Sequence, residues 1–302
     1  MADNQHEKEV DQLSGVETTG HEWDGLKELN NPLPKWWLYS FYVTIAWGVA
    51  YWILMPAWPL INGHTKGLLG YSQRAKVMEQ VQAGKDAQAE QRAALVKVEL
   101  DEVLRTEHLR DFAMAAGASA FGDNCAACHG QGGGGTIGGY PNLNDDAWLW
   151  GGTIDDIYQT INYGIRADHD DTRMGDMLAF GEMGMLARDD ITLLTDYLRD
   201  VSGVAEMKTH EGVDAKARLV AAKEMYAENC ASCHGDDLKG LPEMGAPNLA
   251  DSIWLYGSDK ADIRKSIHAG RAGMMPAWQG RLDDATIRAL SIYVYSRGGG
   301  QN

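Results

Sequence analysis

The chain runs to 302 residues, 44% of them hydrophobic and 23% charged. That is room for two or three compact units, and the apolar share excludes a disordered chain. A net charge of −16 opposes approach to another polyanion, so nucleic acid is not expected as a partner and a basic protein fits better.

Residues 1–35 are polar and acidic. From Lys35 to Lys66 no Lys, Arg, Asp or Glu intervenes, and Trp36 to Leu60 reads "WWLYSFYVTIAWGVAYWILMPAWPL". About 20 apolar residues cross a hydrocarbon core as a helix, so 36–60 is expected to be a transmembrane anchor in a lipid bilayer. Trp36, Trp37 and Tyr39 gather at one end and Trp52 and Trp58 at the other, as interfacial belts do. Pro56 and Pro59, in Met55-Pro56-Ala57-Trp58-Pro59, would end the helix. A cleaved secretory signal is the rival reading. The acidic leader, the bulky aromatics and the lack of a small-residue cleavage site argue against it. Lys8, Lys27 and Lys35 before the run, against Lys66, Arg74 and Lys76 after it, leave orientation open. Residues 61–108 follow as a spacer; Ser72 to His108, rich in Gln, Ala, Lys, Glu and Leu and free of proline, predicts one or two exposed helices.

Beyond the spacer the chain repeats itself. "PNLNDDAWLWGG" at Pro141 recurs as "PNLADSIWLYGS" at Pro247, and Cys125-Ala126-Ala127-Cys128-His129 recurs as Cys230-Ala231-Ser232-Cys233-His234. Two copies in register mean two domains of one fold, placed at 109–203 and 204–302. In a C-x-x-C-H pentad two thiols one helical turn apart form thioethers to a haem c and the histidine ligates its iron. All four cysteines, Cys125, Cys128, Cys230 and Cys233, are used this way, and none is left for a structural disulfide. Zinc or a redox disulfide could use C-x-x-C, but neither needs the following histidine twice in the same context. Two covalently bound haem c groups are therefore expected, with His129 and His234 as axial ligands.

The sixth ligands should come from loops far downstream. In the second domain the candidate is Met275 of "GMMPAWQG", with Met274 its neighbour and rival. In the first domain Met177 of "GDMLAFGEMG" aligns with it, although Leu178 replaces the proline, and Met174, Met183, Met185 and His169 lie within loop reach. Phe121 and Tyr226, each four residues before a first Cys, and Tyr197 and Tyr293 in the closing helices, are expected to pack where first and last helices cross. Trp148 and Trp254 are expected as haem-pocket walls, their indole N–H groups suited to a propionate. His268 is expected at the surface or beside a propionate, and His64, His108 and His210 in solvent.

"TTGHEWDGLKELNNPLPKWW", the single anchor, and two domains carrying "NCAACHG" and "NCASCHG" together resemble the di-haem subunit of cbb3-type cytochrome c oxidases, over nearly the whole chain. The resemblance implies a mainly α protein, one transmembrane helix followed by two tandem class I cytochrome c domains. It implies a bacterial inner membrane location with the N-terminus cytoplasmic and the haem domains periplasmic. It also implies electron transfer from a donor cytochrome c to the mono-haem subunit and on to the haem-copper subunit, which reduces oxygen and pumps protons. Leu178 departs from the family pattern, where proline usually follows the ligand methionine.

Histidine and methionine together fill both axial positions, which suits electron transfer rather than oxygen binding. The anchor run has no histidine, so a haem-copper centre is not expected in this chain. A di-haem carrier not tied to an oxidase, or a di-haem peroxidase with a displaceable ligand, are the other readings. Residues 121–200 hold 14 acids against 4 arginines, and 201–302 hold 13 acids against 12 bases. A basic donor is therefore expected to be steered to the first haem domain.

Overall fold

The computed structural model describes residues 9–136, 138–208 and 213–298. Two compact units, Met1–Asp86 and Ala87–Asn302, make it up.

In the first unit β1 (Thr18–Trp23) and β2 (Leu26–Leu29) form an antiparallel hairpin with Trp23 opposite Leu26. Its turn residues Asp24 and Gly25 both have positive φ, 51° and 85°, the backbone that an Asp-Gly pair supplies in tight hairpins. The helix α1 (Lys35–Leu54) has 20 residues and no buried side chain, and is apolar on every side, as a lipid-facing helix must be. At 1.5 Å per residue it is about 30 Å long, the thickness of a hydrocarbon core. It ends at Leu54, just before the Met55-to-Pro59 exit expected from the sequence. Pro56 pushes the preceding residue out of helical geometry, and Met55 is extended at φ −107°, ψ 161°. The chain then turns through a short hairpin, β3 (Pro59–Leu60) with β4 (Gly63–His64), and Trp58 folds back edge-on to Trp52 at 4.8 Å. The exposed helix α2 (Gln73–Ala87) follows.

The second unit begins inside the expected spacer. Helices α3 (Ala89–Lys97) and α4 (Leu100–Arg105) are not an exposed connector: Leu95, Leu100 and Val103 are buried. They pack on α5 (Glu107–Asn124) and on the last helix, α12 (Asp284–Tyr295), through Leu109, Ala113, Ala289 and Ile292. Arg288 of α12 donates from Nε to the Leu95 carbonyl at 2.7 Å. Each such side chain removed from water contributes about 1.5–3 kcal/mol, which is why an Ala- and Glu-rich stretch holds to the core.

The remaining helices are α6 (Ala126–His129), α7 (Ile154–Tyr163), α8 (Arg188–Val201), α9 (Ala215–Asn229), α10 (Ala231–His234) and α11 (Lys260–Ala269). Their packing runs across the two repeats. The helix leading into the first pentad, α5, is closed by α12, and the helix leading into the second, α9, is closed by α8. Gly117 of α5 lies so close to α12 that an added Cβ would meet the Ala289 carbonyl oxygen at 2.3 Å. Phe121 packs at a tilt on Tyr293 with ring centroids 5.4 Å apart, and Tyr226 likewise on Tyr197 at 5.9 Å. The four aromatics do mark helix crossings, but each pair joins one repeat to the other. The two repeats have exchanged their closing helices.

Candidate haem sites

Both pentads are built alike. Helix α5 ends with Cys125 N–H donating to the Phe121 carbonyl, α6 carries Cys128 and His129, and Gly130 turns the chain away at φ 78°. Cys230, Cys233, His234 and Gly235, at φ 77°, repeat this arrangement. His129 Nδ1 lies 3.2 Å from the Pro141 carbonyl and His234 Nδ1 lies 3.0 Å from that of Pro247. A carbonyl only accepts, so Nδ1 carries the proton in each ring and Nε2 is left as the lone-pair nitrogen. That is the arrangement by which an outer-shell bond fixes a ligand histidine. Burial lowers the pKa of both rings, with the proline carbonyls opposing it, so both are neutral near pH 7.

The cysteines are unpaired. Burial, with the neighbouring pentad cysteine adding to it, pushes the Cys125 and Cys230 thiols up to about 11. Zinc binding takes thiolates and usually four ligands; among the described residues no three His, Cys, Asp or Glu side chains form a metal-holding group. The pentads suit thioether attachment better.

Around the first pentad the wall is Phe121, Ile157, Ile161, Ile287, Leu290 and Val294, with Cys125, Trp148, Trp278 and Met275 packed against it. Around the second it is Ile191, Leu194, Leu198, Leu249, Ile263 and Ile267, with Cys230, Trp254 and Met177 packed against it. Met275 thus lies against the wall of the first pentad and Met177 against that of the second. The same pseudo-symmetric tie holds both loops. Met275 and Ile165 exchange backbone hydrogen bonds of 3.0 and 2.9 Å, and Met177 and Arg271 exchange bonds of 2.9 and 3.1 Å.

The rival ligands stand elsewhere. Met174, Met183, Met185 and Met274 are 66%, 61%, 50% and 72% exposed. His169 Nε2 is 2.6 Å from Gln279 Oε1, its Nδ1 accepts from Asp171 N–H, and its ring lies against Tyr163. Leu178 and Pro276 are both exposed, so the proline-to-leucine difference does not touch the pocket. His64, His108 and His268 are exposed; His210 lies outside the described residues.

Trp254 Nε1 is buried and has no hydrogen-bond partner. A buried indole N–H without an acceptor is costly, and a haem propionate would supply one. With two thiols, a neutral imidazole of fixed tautomer, a thioether and an apolar wall, each site fits a haem c. Beside the second pentad, the Tyr226 hydroxyl donates to the Gly235 carbonyl at 2.7 Å.

Sequence reasoning missed Gly164 and Gly270. They end α7 and α11 at φ 73° and 71°, and a Cβ on either would strike the methionine loop docked there. Their signal was present, since both fall at the same place in the repeat, in "NYGIR" and "HAGRA". Arg166, whose side chain reaches both loops, carried no such signal.

Comparison with known proteins finds matches along nearly the whole chain. Residues 15–62 match the N-terminal domain of cytochrome oxidase-cbb3, FixP; residues 114–202 match cytochrome c; residues 217–294 match cytochrome c oxidase, cbb3-type, subunit III. The cbb3-type cytochrome c oxidase subunit FixP of Bradyrhizobium sp. (strain ORS 278) is 51% identical over 301 residues, covering 100% of both chains. Subunit CcoP of Azospirillum brasilense is 52% identical over 303 residues, 98% of this chain and 99% of that one. FixP of Rhizobium meliloti (strain 1021) is 46% identical over 302 residues, covering 100% of both. With both haem c sites present and the likeness running end to end, the chain belongs to the FixP/CcoP family, the di-haem electron-carrying membrane subunit of cbb3-type cytochrome c oxidase.

Proposed function

We propose that Cys125 and Cys128 hold one haem c and Cys230 and Cys233 the other, with axial ligands paired across the repeats: His129 with Met275, and His234 with Met177. The observation that carries this reading is the placement of each methionine against the opposite pentad's pocket. When bound, haem c would supply one-electron chemistry, and a histidine with a methionine as its protein ligands would favour electron transfer over oxygen binding.

The protein's own residues set the conditions. The Pro141 and Pro247 carbonyls orient the two imidazoles. Methionine sulfur favours the reduced state and raises the potential. The buried isoleucines and leucines of both walls would keep water out, and the unpartnered Trp254 indole N–H would be free to donate to a propionate. By its family, the subunit takes electrons from a donor cytochrome c and passes them to the mono-haem subunit and then the haem-copper subunit. On the same reading α1 spans the bacterial inner membrane, with the N-terminus cytoplasmic and both haem sites periplasmic.

The pairing is tested in a chain whose first pentad is disabled by Cys125→Ala and Cys128→Ala. The single remaining haem should keep the weak methionine-to-iron charge-transfer band, lose it on adding Met177→Ala, and retain it with Met275→Ala. The reverse result would establish pairing in chain order.

A further inference from the structure

We infer that Arg166 is a positioning residue shared by both haem sites, clamping the two methionine loops to each other. Its guanidinium donates from Nε and Nη2 to the Gly273 carbonyl, the Nε bond being 2.6 Å, and from Nη1 to the Gly175 carbonyl. Gly273 stands two residues before Met275 and Gly175 two residues before Met177. One planar fork therefore reaches the same point of both ligand loops, a task that suits the fixed donor geometry of arginine and not the point charge of lysine.

The backbone supports this role. Arg166 has φ 48°, one of three positive values among the described non-glycine residues, and such a conformation persists only where its surroundings enforce it. Here they do: Arg166 N–H donates to the Arg173 carbonyl at 2.9 Å, and Arg173 N–H donates back to the Gly164 carbonyl at 3.1 Å. Arg173 is held in turn by Asp156 at 3.2 Å. The repeat has no second copy of the device. Gly164 and Ile165 correspond to Gly270 and Arg271, so Ala272 stands where Arg166 would recur. One side chain serves two otherwise symmetric loops, and a loosening of one methionine is transmitted to the other through it.

The inference rests on Met177 and Met275 being the sixth ligands, and the full-length, two-haem chain tests it. Arg166→Lys keeps the charge and the backbone cost while removing the fork; Arg166→Gly removes the side chain and relieves the backbone. In a redox titration that resolves both haems, each variant should lower both midpoint potentials and weaken the methionine-to-iron band of both haems, Arg166→Gly more strongly. A change confined to one haem, or none at unchanged helix content, overturns the inference. Should Arg166→Gly fail to retain haem, Arg166→Lys decides alone. Absence of the band in the unaltered chain would instead defeat the ligation reading and this inference with it.

Discussion

At the scale of single residues, Asp196 ties three helices together. Its carboxylate accepts from Arg218 of α9 at 2.7 Å and from Lys260 of α11 at 2.6 Å, and its side chain is 16% exposed. Burial alone would raise its pKa, but the bonds and charges of Lys260 and Arg218 outweigh burial and hold it below the ordinary 3.8. A depressed carboxyl contributes stability that is present above the unfolded-state value and is lost as pH falls through the folded one. Asp196→Asn should therefore cost about 2 kcal/mol at pH 7, the scale of a lost charged hydrogen bond, and flatten the acid dependence below pH 3.8. Urea unfolding at pH 7 and pH 3 checks both, and an unchanged midpoint at pH 7 would remove Asp196 from the account. None of this was legible in the chain, because Asp196, Arg218 and Lys260 meet only once α8, α9 and α11 are packed.

At the scale of elements, the ends of α7 and α11 decide where the methionine loops dock. A Cβ on Gly164 would meet the Met275 carbonyl oxygen at 2.5 Å, and one on Gly270 would meet that of Met177 at 2.3 Å. Both contacts are with backbone and cannot swing aside. With φ near 70° and ψ near 180°, both occupy a backbone region essentially reserved for glycine, which costs any other residue about 1–3 kcal/mol. Gly164→Ala should weaken chiefly the methionine band of the haem on Cys125 and Cys128, and Gly270→Ala chiefly that of the haem on Cys230 and Cys233, with a smaller effect passed to the other haem through Arg166. Visible absorption of the two variants, compared haem by haem, tests this, and equal weakening of both bands by either substitution would contradict local docking. The amino-terminal hairpin is a different case: Asp24-Gly25 between "HEW" and "LKEL" is a recognised turn signal, legible in the sequence and passed over. In the spacer, sequence composition read exposed helix correctly for α2 and wrongly for α3 and α4. Leu95, Leu100 and Val103 are too few to make a convincing stripe, yet each is 4% exposed or less.

For the whole molecule, exchange of the closing segments redistributes charge. Grouped by structure, residues 166–270 hold 20 acids against 12 bases, while 107–165 with 271–298 hold 9 acids against 5 bases. Acidity that chain order assigns to the first domain thus belongs mainly with the second pentad. A basic donor cytochrome should be drawn there, and its rate of electron transfer should fall as ionic strength rises. Stopped-flow reduction across a salt series measures this, and a rate flat in salt would exclude steering by charge.

The sequence by itself determined the chemistry: two pentads, two candidate methionines, an uncharged run long enough for a bilayer, and an internal repeat that means two copies of one fold. These are local patterns, carried by residue type and spacing, and they survive any arrangement of the helices. Which copy closes which was decided only in the tertiary structure. Phe121 can stack on Tyr197 or Tyr293, and His129 can face Met177 or Met275, because the repeat supplies equivalent partners in both places. Gly117 against α12, Gly164 against the Met275 loop and Gly270 against the Met177 loop are contacts between segments far apart in the chain, which residue type and spacing alone do not specify.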